Sequence, residues 1–84
     1  MQLSIKNAAD IGDIVKATRK SQGLRQDDAA GASGVGESFL GKVESGNPSV
    51  NWGMLFQVLS ELGIEVSVDI TEAAAERLQH DANQ

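Results

Sequence analysis

The sequence predicts a mainly α-helical domain of four to five helices with one short C-terminal β-strand, and three observations carry that prediction. Apolar side chains recur at helical spacing in several stretches, most densely from Trp52 to Leu62. Residues 24–46 read as two short helices joined by a turn of small residues. Residues 64–70, IEVSVDI, alternate strictly between apolar and polar side chains. With 84 residues, 40% of them apolar and none of them Cys, one small core is the ceiling, and it has neither disulfides nor a cysteine-ligated metal to lean on.

Taken in order, Gln2 to Lys6 alternate polar and apolar and predict a short first strand. Asn7 or Asp10 can cap a first helix running to about Gln22, with Ile11, Ile14, Val15 and Thr18 as its buried stripe and Lys16, Arg19 and Lys20 pointing elsewhere. Gly23 ends it. A second helix spans about Gln26 to Ala32 and a third about Glu37 to Ser45, with Gly36 at the N-cap and Gly46-Asn47-Pro48 as the stop. Leu24, Ala30, Val35, Leu40 and Val43 give this pair its apolar positions. The linker from Gly31 to Gly36 is small except for Val35, which lets the two helices approach closely. The result is a helix-turn-helix unit, an arrangement suited to placing its second helix in the major groove of DNA.

The fourth helix is the most strongly patterned, with Ser49 as its expected cap and Trp52, Leu55, Phe56, Leu59 and Leu62 on one face. It holds the only Trp and one of two Phe, so the expectation is a buried floor beneath the two short helices. Gly63 stops it. The strand 64–70 then shows Ile64, Val66, Val68 and Ile70 on one face, and an unpaired apolar strand needs a neighbour. The same strand of a second copy, antiparallel across a two-fold axis, is the expected one, with Leu3 to Lys6 along the other edge. On this reading residues 1–70 form the domain. Residues 71–84 are an acidic flexible tail, as a frayed helix capped by Thr71 or as disordered chain, because only Leu78 offers sizeable apolar burial.

The net charge of −5 is unevenly placed. Residues 1–50 hold six basic and six acidic side chains, whereas residues 51–84 hold Arg77 alone against six acidic ones. Only the N-terminal half is therefore suited to face phosphates. No catalytic constellation is present, so the chain is expected not to be an enzyme. His80 is the only histidine, with no cysteine to pair with, and Asp27 and Asp28 occupy adjacent helical positions that diverge. Gly34-Val35-Gly36 follows a helix and lacks the Lys-Ser/Thr of a phosphate-binding loop. No cofactor is expected. No apolar run approaches the roughly 20 residues that cross a bilayer, and MQLSIKNAAD lacks the apolar core of a signal peptide. A cytoplasmic protein without a membrane partner is the expectation.

Residues 11–63 resemble the Cro/repressor (xenobiotic-response-element) helix-turn-helix family. The resemblance rests on Gly23-Leu24-Arg25-Gln26, Asp28-Ala29-Ala30, Gly34-Val35-Gly36, Leu40-Gly41-Lys42-Val43-Glu44-Ser45-Gly46, Pro48-Ser49 and Leu62-Gly63. The runs VGESFLGKVESGNPSV and FQVLSELGIEV are similar to the HipB-type antitoxins within it. This resemblance implies a homodimeric repressor that binds operator double-stranded DNA near its own genes and pairs with a HipA-type kinase toxin. A stand-alone phage-type or cellular regulator is the alternative, and holding a toxin, with DNA binding secondary, is a competing main task. Arg25 stands where the family usually caps the second helix with Thr, and Gly36 where Ser or Thr is usual. Two lost caps cost roughly 1 kcal/mol each if nothing compensates.

By position in that family, Glu37 and Ser38 at the start of the third helix face base edges, with Lys42 one turn further on. Their chemistry fits: Glu accepts from a cytosine amino group, Ser donates or accepts, and Lys donates to guanine. Arg25, Gln26 with its backbone N–H, and Asn47 are the expected phosphate contacts. Gly36 and Gly41 complete the expected DNA-binding set. Glu44 stands at the family's structural glutamate and is expected to brace the fold.

Overall fold

Five helices account for the regular structure in the computed structural model, which describes residues 1–83: α1 (Ala8–Ser21), α2 (Gln26–Ser33), α3 (Glu37–Glu44), α4 (Trp52–Glu61) and α5 (Glu72–Ala82). Each boundary has a local cause. Asn7 is extended and its side chain accepts from the Asp10 amide at 2.9 Å, while the Asp10 carboxylate accepts from the Lys6 amide at 2.8 Å. Both expected caps therefore act, on two different backbone donors. Gly34, Gly46 and Gly63 close α2, α3 and α4 with positive φ, the left-handed backbone that satisfies the last carbonyls of a helix.

The core consists of Val15 from α1, Ala29 and Ala30 from α2, Leu40 and Val43 from α3, and Leu55, Val58, Leu59 and Leu62 from α4 and its end. Helix α3 packs on α1 and on α2, and α2 packs on α4, so the two short helices link α1 to α4. Where α1 crosses the end of α3 the backbones nearly touch. A Cβ on Gly12 would lie 2.5 Å from the Val43 carbonyl oxygen, and one on Gly46 would lie 2.9 Å from Ala9 Cα. Only glycine fits either place.

Helix α4 is capped by Asn51, whose side chain accepts from the Met54 amide at 3.0 Å, and not by Ser49. The Ser49 amide is already held by Asn47 Oδ1 at 2.8 Å, which fixes residues 47–49 in a turn ahead of the helix. Trp52 and Phe56 are not core: they are 75% and 47% exposed, with their rings 6.1 Å apart on the flank of the helix. The inward stripe is Leu55, Val58, Leu59 and Leu62, which has the same period and fits a core built of compact aliphatic side chains.

Neither expected strand forms among the described residues. Alternation reports which side chains share a face, whereas a strand also needs a backbone neighbour, and residues 2–6 do not pair with 64–70. Ile64 packs on the core, and Val66, Val68 and Ile70 are exposed. Of the two forms open for the tail, residues 72–82 take the helical one, started by Thr71, whose Oγ1 accepts from the Ala74 amide at 3.1 Å. Every described residue of α5 is exposed. Gln84 lies outside the described residues. Among the described residues no helix is long and apolar enough to cross a membrane.

Candidate nucleic-acid interface

Helix α3 is amphipathic in the simplest way: Leu40 and Val43 are buried, Phe39 is half-buried against the core, and Glu37, Ser38 and Lys42 are exposed. The three residues expected to face base edges thus share the outward side. Gly41 sits between them, half-buried, and a Cβ there would just touch the Gln26 side chain at 3.8 Å. Lys42 makes no ion pair among the described residues.

The start of α2 lies beside this face. Arg25 is its extended N-cap residue and makes no side-chain cap, and Gly36 likewise caps α3 with backbone alone. The missing cap on α2 is compensated locally, since Asp27 Oδ1 accepts from the Asp28 amide at 2.9 Å. The other oxygen, Oδ2, accepts from Arg25 Nη2 at 3.2 Å. This pair is exposed, with 78% of the Arg25 and 44% of the Asp27 side chain accessible. Asn47 follows α3, its amide donating to the Lys42 carbonyl at 3.0 Å and its side chain engaged with Ser49.

A buried ion pair holds these parts in place. Arg19 Nε donates to Glu44 Oε2 at 2.7 Å and Nη2 to Oε1 at 2.9 Å, a two-point contact between α1 and the end of α3. Arg19 Nη1 also donates to the Leu24 carbonyl at 2.9 Å, and Gln26 Nε2 reaches Glu44 Oε1 at 3.3 Å. One carboxylate therefore ties together α1, the entry to α2 and α3. The hydrogen bonding of its guanidinium to Glu44 holds Arg19 above its ordinary pKa, against the opposing effect of burial.

The bracing role expected of Glu44 is met, and its partner Arg19, expected to point away from the buried stripe of α1, turns inward instead. Arg19 is buried, with 10% of its side chain accessible. Gly12, Val15 and Arg19 lie three and four residues apart and form the true inner face of α1. A glycine inside a helical pattern was the available signal, because it marks a close approach of backbone.

The expected DNA-facing residues Arg25, Gln26, Gly36, Glu37, Ser38, Gly41, Lys42 and Asn47 all fall on α2, α3 and the segments that bound them. Gln26 differs from the rest in that its side-chain amide turns inward to Glu44.

Residues 15–68 match the helix-turn-helix family model HTH_3. A curated relative from Sinorhizobium fredii (strain NBRC 101917 / NGR234), an uncharacterized HTH-type transcriptional regulator y4mF, is 44% identical over 81% of this chain and 90% of its own length. Among solved structures, a chain of a HipA-HipB-O2-O3 complex superposes with a TM-score of 0.74 at 19% identity, covering 84% of this chain and all of that one. A HipB-O4 20mer complex gives 0.75 at 15% identity with the same coverage. The restriction-modification controller protein C.AhdI from Aeromonas hydrophila gives 0.61 at 29% identity, over 69% of this chain and 84% of that one. With more than half its length under the family model and a close relative matched almost end to end, the chain belongs to the helix-turn-helix family of Cro/repressor type.

Proposed function

We propose that this helix-turn-helix DNA-binding transcriptional regulator is a repressor of its own operon, acting as the antitoxin of a HipA-type kinase toxin. The observation that carries the DNA part is the two-sidedness of α3: its inner face is locked by Leu40, Val43 and the Arg19–Glu44 pair, and its outer face offers Ser38 and Lys42 free to read bases. A rigid reading helix loses little entropy on docking. Ser38 and Lys42, with Glu37 where a cytosine amino group meets it, contact base edges. Gly36 and Gly41 leave room for close approach. Arg25, Asn47 and the Gln26 backbone N–H take phosphates.

Ile64, Val66, Val68 and Ile70 join two copies by antiparallel pairing of residues 64–70, which sets the distance between the two reading helices. The likeness in fold to chains from HipB complexes and the acidic half from residue 51 onward support the toxin partner, since acidic side chains complement a basic protein surface. A regulator with no toxin is the second reading, favoured by the 44% identical relative, whose description names transcriptional regulation alone. Recovery of the tagged chain from its own host decides between them. A kinase-sized HipA-type protein together with DNA supports the antitoxin, and DNA alone supports the stand-alone regulator.

A further inference from the structure

The exposed charge of the helix-turn-helix unit has the wrong sign for its partner. From Arg25 to Ser45 the exposed charged residues are Arg25 and Lys42 against Asp27, Asp28 and Glu37, because Glu44 is spent on Arg19. One of the two cations is also engaged: Arg25 Nη2 lies 3.2 Å from Asp27 Oδ2. The second oxygen of the same carboxylate takes the Asp28 amide at 2.9 Å. A DNA phosphate at the entry to α2 would be bound by the same kinds of donor, a guanidinium and a backbone N–H.

We propose that Asp27 is an affinity-setting residue that competes with DNA phosphate for Arg25 and so holds down binding to every sequence. This rests on the DNA-binding reading of the site. The ion pair is exposed and therefore weak enough to open on docking, but each docking event must break it and bring a phosphate near a carboxylate. The penalty falls on backbone contacts and leaves base reading to α3 untouched. Specificity relative to random DNA is then kept while total affinity is lowered.

Asp27→Asn tests this, because an amide oxygen still accepts from the Asp28 N–H while the charge is gone. Binding to a random-sequence 25-base-pair duplex, read by fluorescence anisotropy across a salt series, should tighten about three- to tenfold at low salt. The plot of log K against log salt should steepen by up to about 0.9, the value for one further phosphate neutralised. In an Arg25→Ala background the same substitution should gain much less. Wild-type binding with no gain in Asp27→Asn would overturn the inference and leave the DNA reading standing. An undiminished gain in the Arg25→Ala background would also overturn it, since Asp27 would then act by general repulsion. Failure of every form to bind any duplex would overturn the DNA reading and this inference with it.

Discussion

Replacing Glu44 by Ala should be the most costly single polar substitution in the domain, and its size follows from what it strands. Arg19 loses two charge-assisted bonds, of 2.7 and 2.9 Å, and keeps only the Leu24 carbonyl, while Gln26 loses its acceptor. Breaking a buried pair in this way costs about 3–5 kcal/mol. The low end applies, because the narrower dimensions of the molecule are 26 and 22 Å and no group is far from water. A loss of about 3 kcal/mol is a large part of the roughly 4–13 kcal/mol expected of a domain this size, and it should lower Tm by roughly 12–24 °C. Urea and thermal unfolding of wild type, Glu44→Ala, Glu44→Leu, Arg19→Met and the double variant Arg19→Met/Glu44→Leu give both the cost and the coupling. The double variant should recover most of the loss, since it buries no charge.

The pH dependence fixes the sign. The hydrogen bond to Glu44 raises the folded pKa of Arg19 above its ordinary value, so its contribution is fully present below that ordinary value and is lost only as pH rises through the higher folded one. The difference between wild type and Glu44→Ala should therefore stay constant from neutrality to about pH 11. A cost below about 1 kcal/mol for Glu44→Ala would place the pair with ordinary surface ion pairs and refute the reasoning.

Three further outcomes are expected. Gly12→Ala should destabilise by about 1–3 kcal/mol in urea titration, because the clash of its Cβ with the Val43 carbonyl outweighs the better helix propensity of Ala; an unchanged or raised midpoint would contradict the close crossing of α1 and α3. Lys42→Ala should change base preference, whereas Arg25→Ala should weaken binding to all sequences by a similar factor, and equal losses for Lys42→Ala on operator and random duplex would remove it as a reader. Pro at Val66 or Val68 removes a backbone donor and should give monomers by sedimentation with α1 to α4 intact; a tight dimer would move the interface elsewhere, to the exposed Trp52 and Phe56 flank of α4.

Much of this architecture was legible in the sequence because helix ends are written in local chemistry. Asn7, Gly23, Gly46 and Gly63 each mark a boundary that the structure keeps. The outward set Glu37, Ser38 and Lys42 is what the resemblance to the Cro/repressor family implies, and its exposure agrees with the side left when Leu40 and Val43 turn inward. Sequence and structure differ where a choice depends on tertiary partners. Trp52 and Phe56 share a period with Leu55 and Leu59, and periodicity cannot say which of two overlapping stripes the rest of the fold covers. Arg19 stands off the apolar stripe Ile11, Ile14, Val15 and Thr18 in sequence, a charge on a helix is usually exposed, and the partner that draws it inward lies 25 positions away. Alternation in residues 2–6 and 64–70 fixes faces but supplies no backbone neighbour, and within one chain, among the described residues, neither segment has one.

The central claim is that two copies read a palindromic operator through α3. Sequencing the fragments that the purified chain retains from sheared DNA of its own host, after washing at physiological salt, tests it most directly. The account predicts enrichment of a few sites near the chain's own gene, each with two inverted half-sites centred about 10 base pairs or a multiple of that apart. Even retention across the genome, or enrichment of single half-sites with no inverted partner, would contradict it.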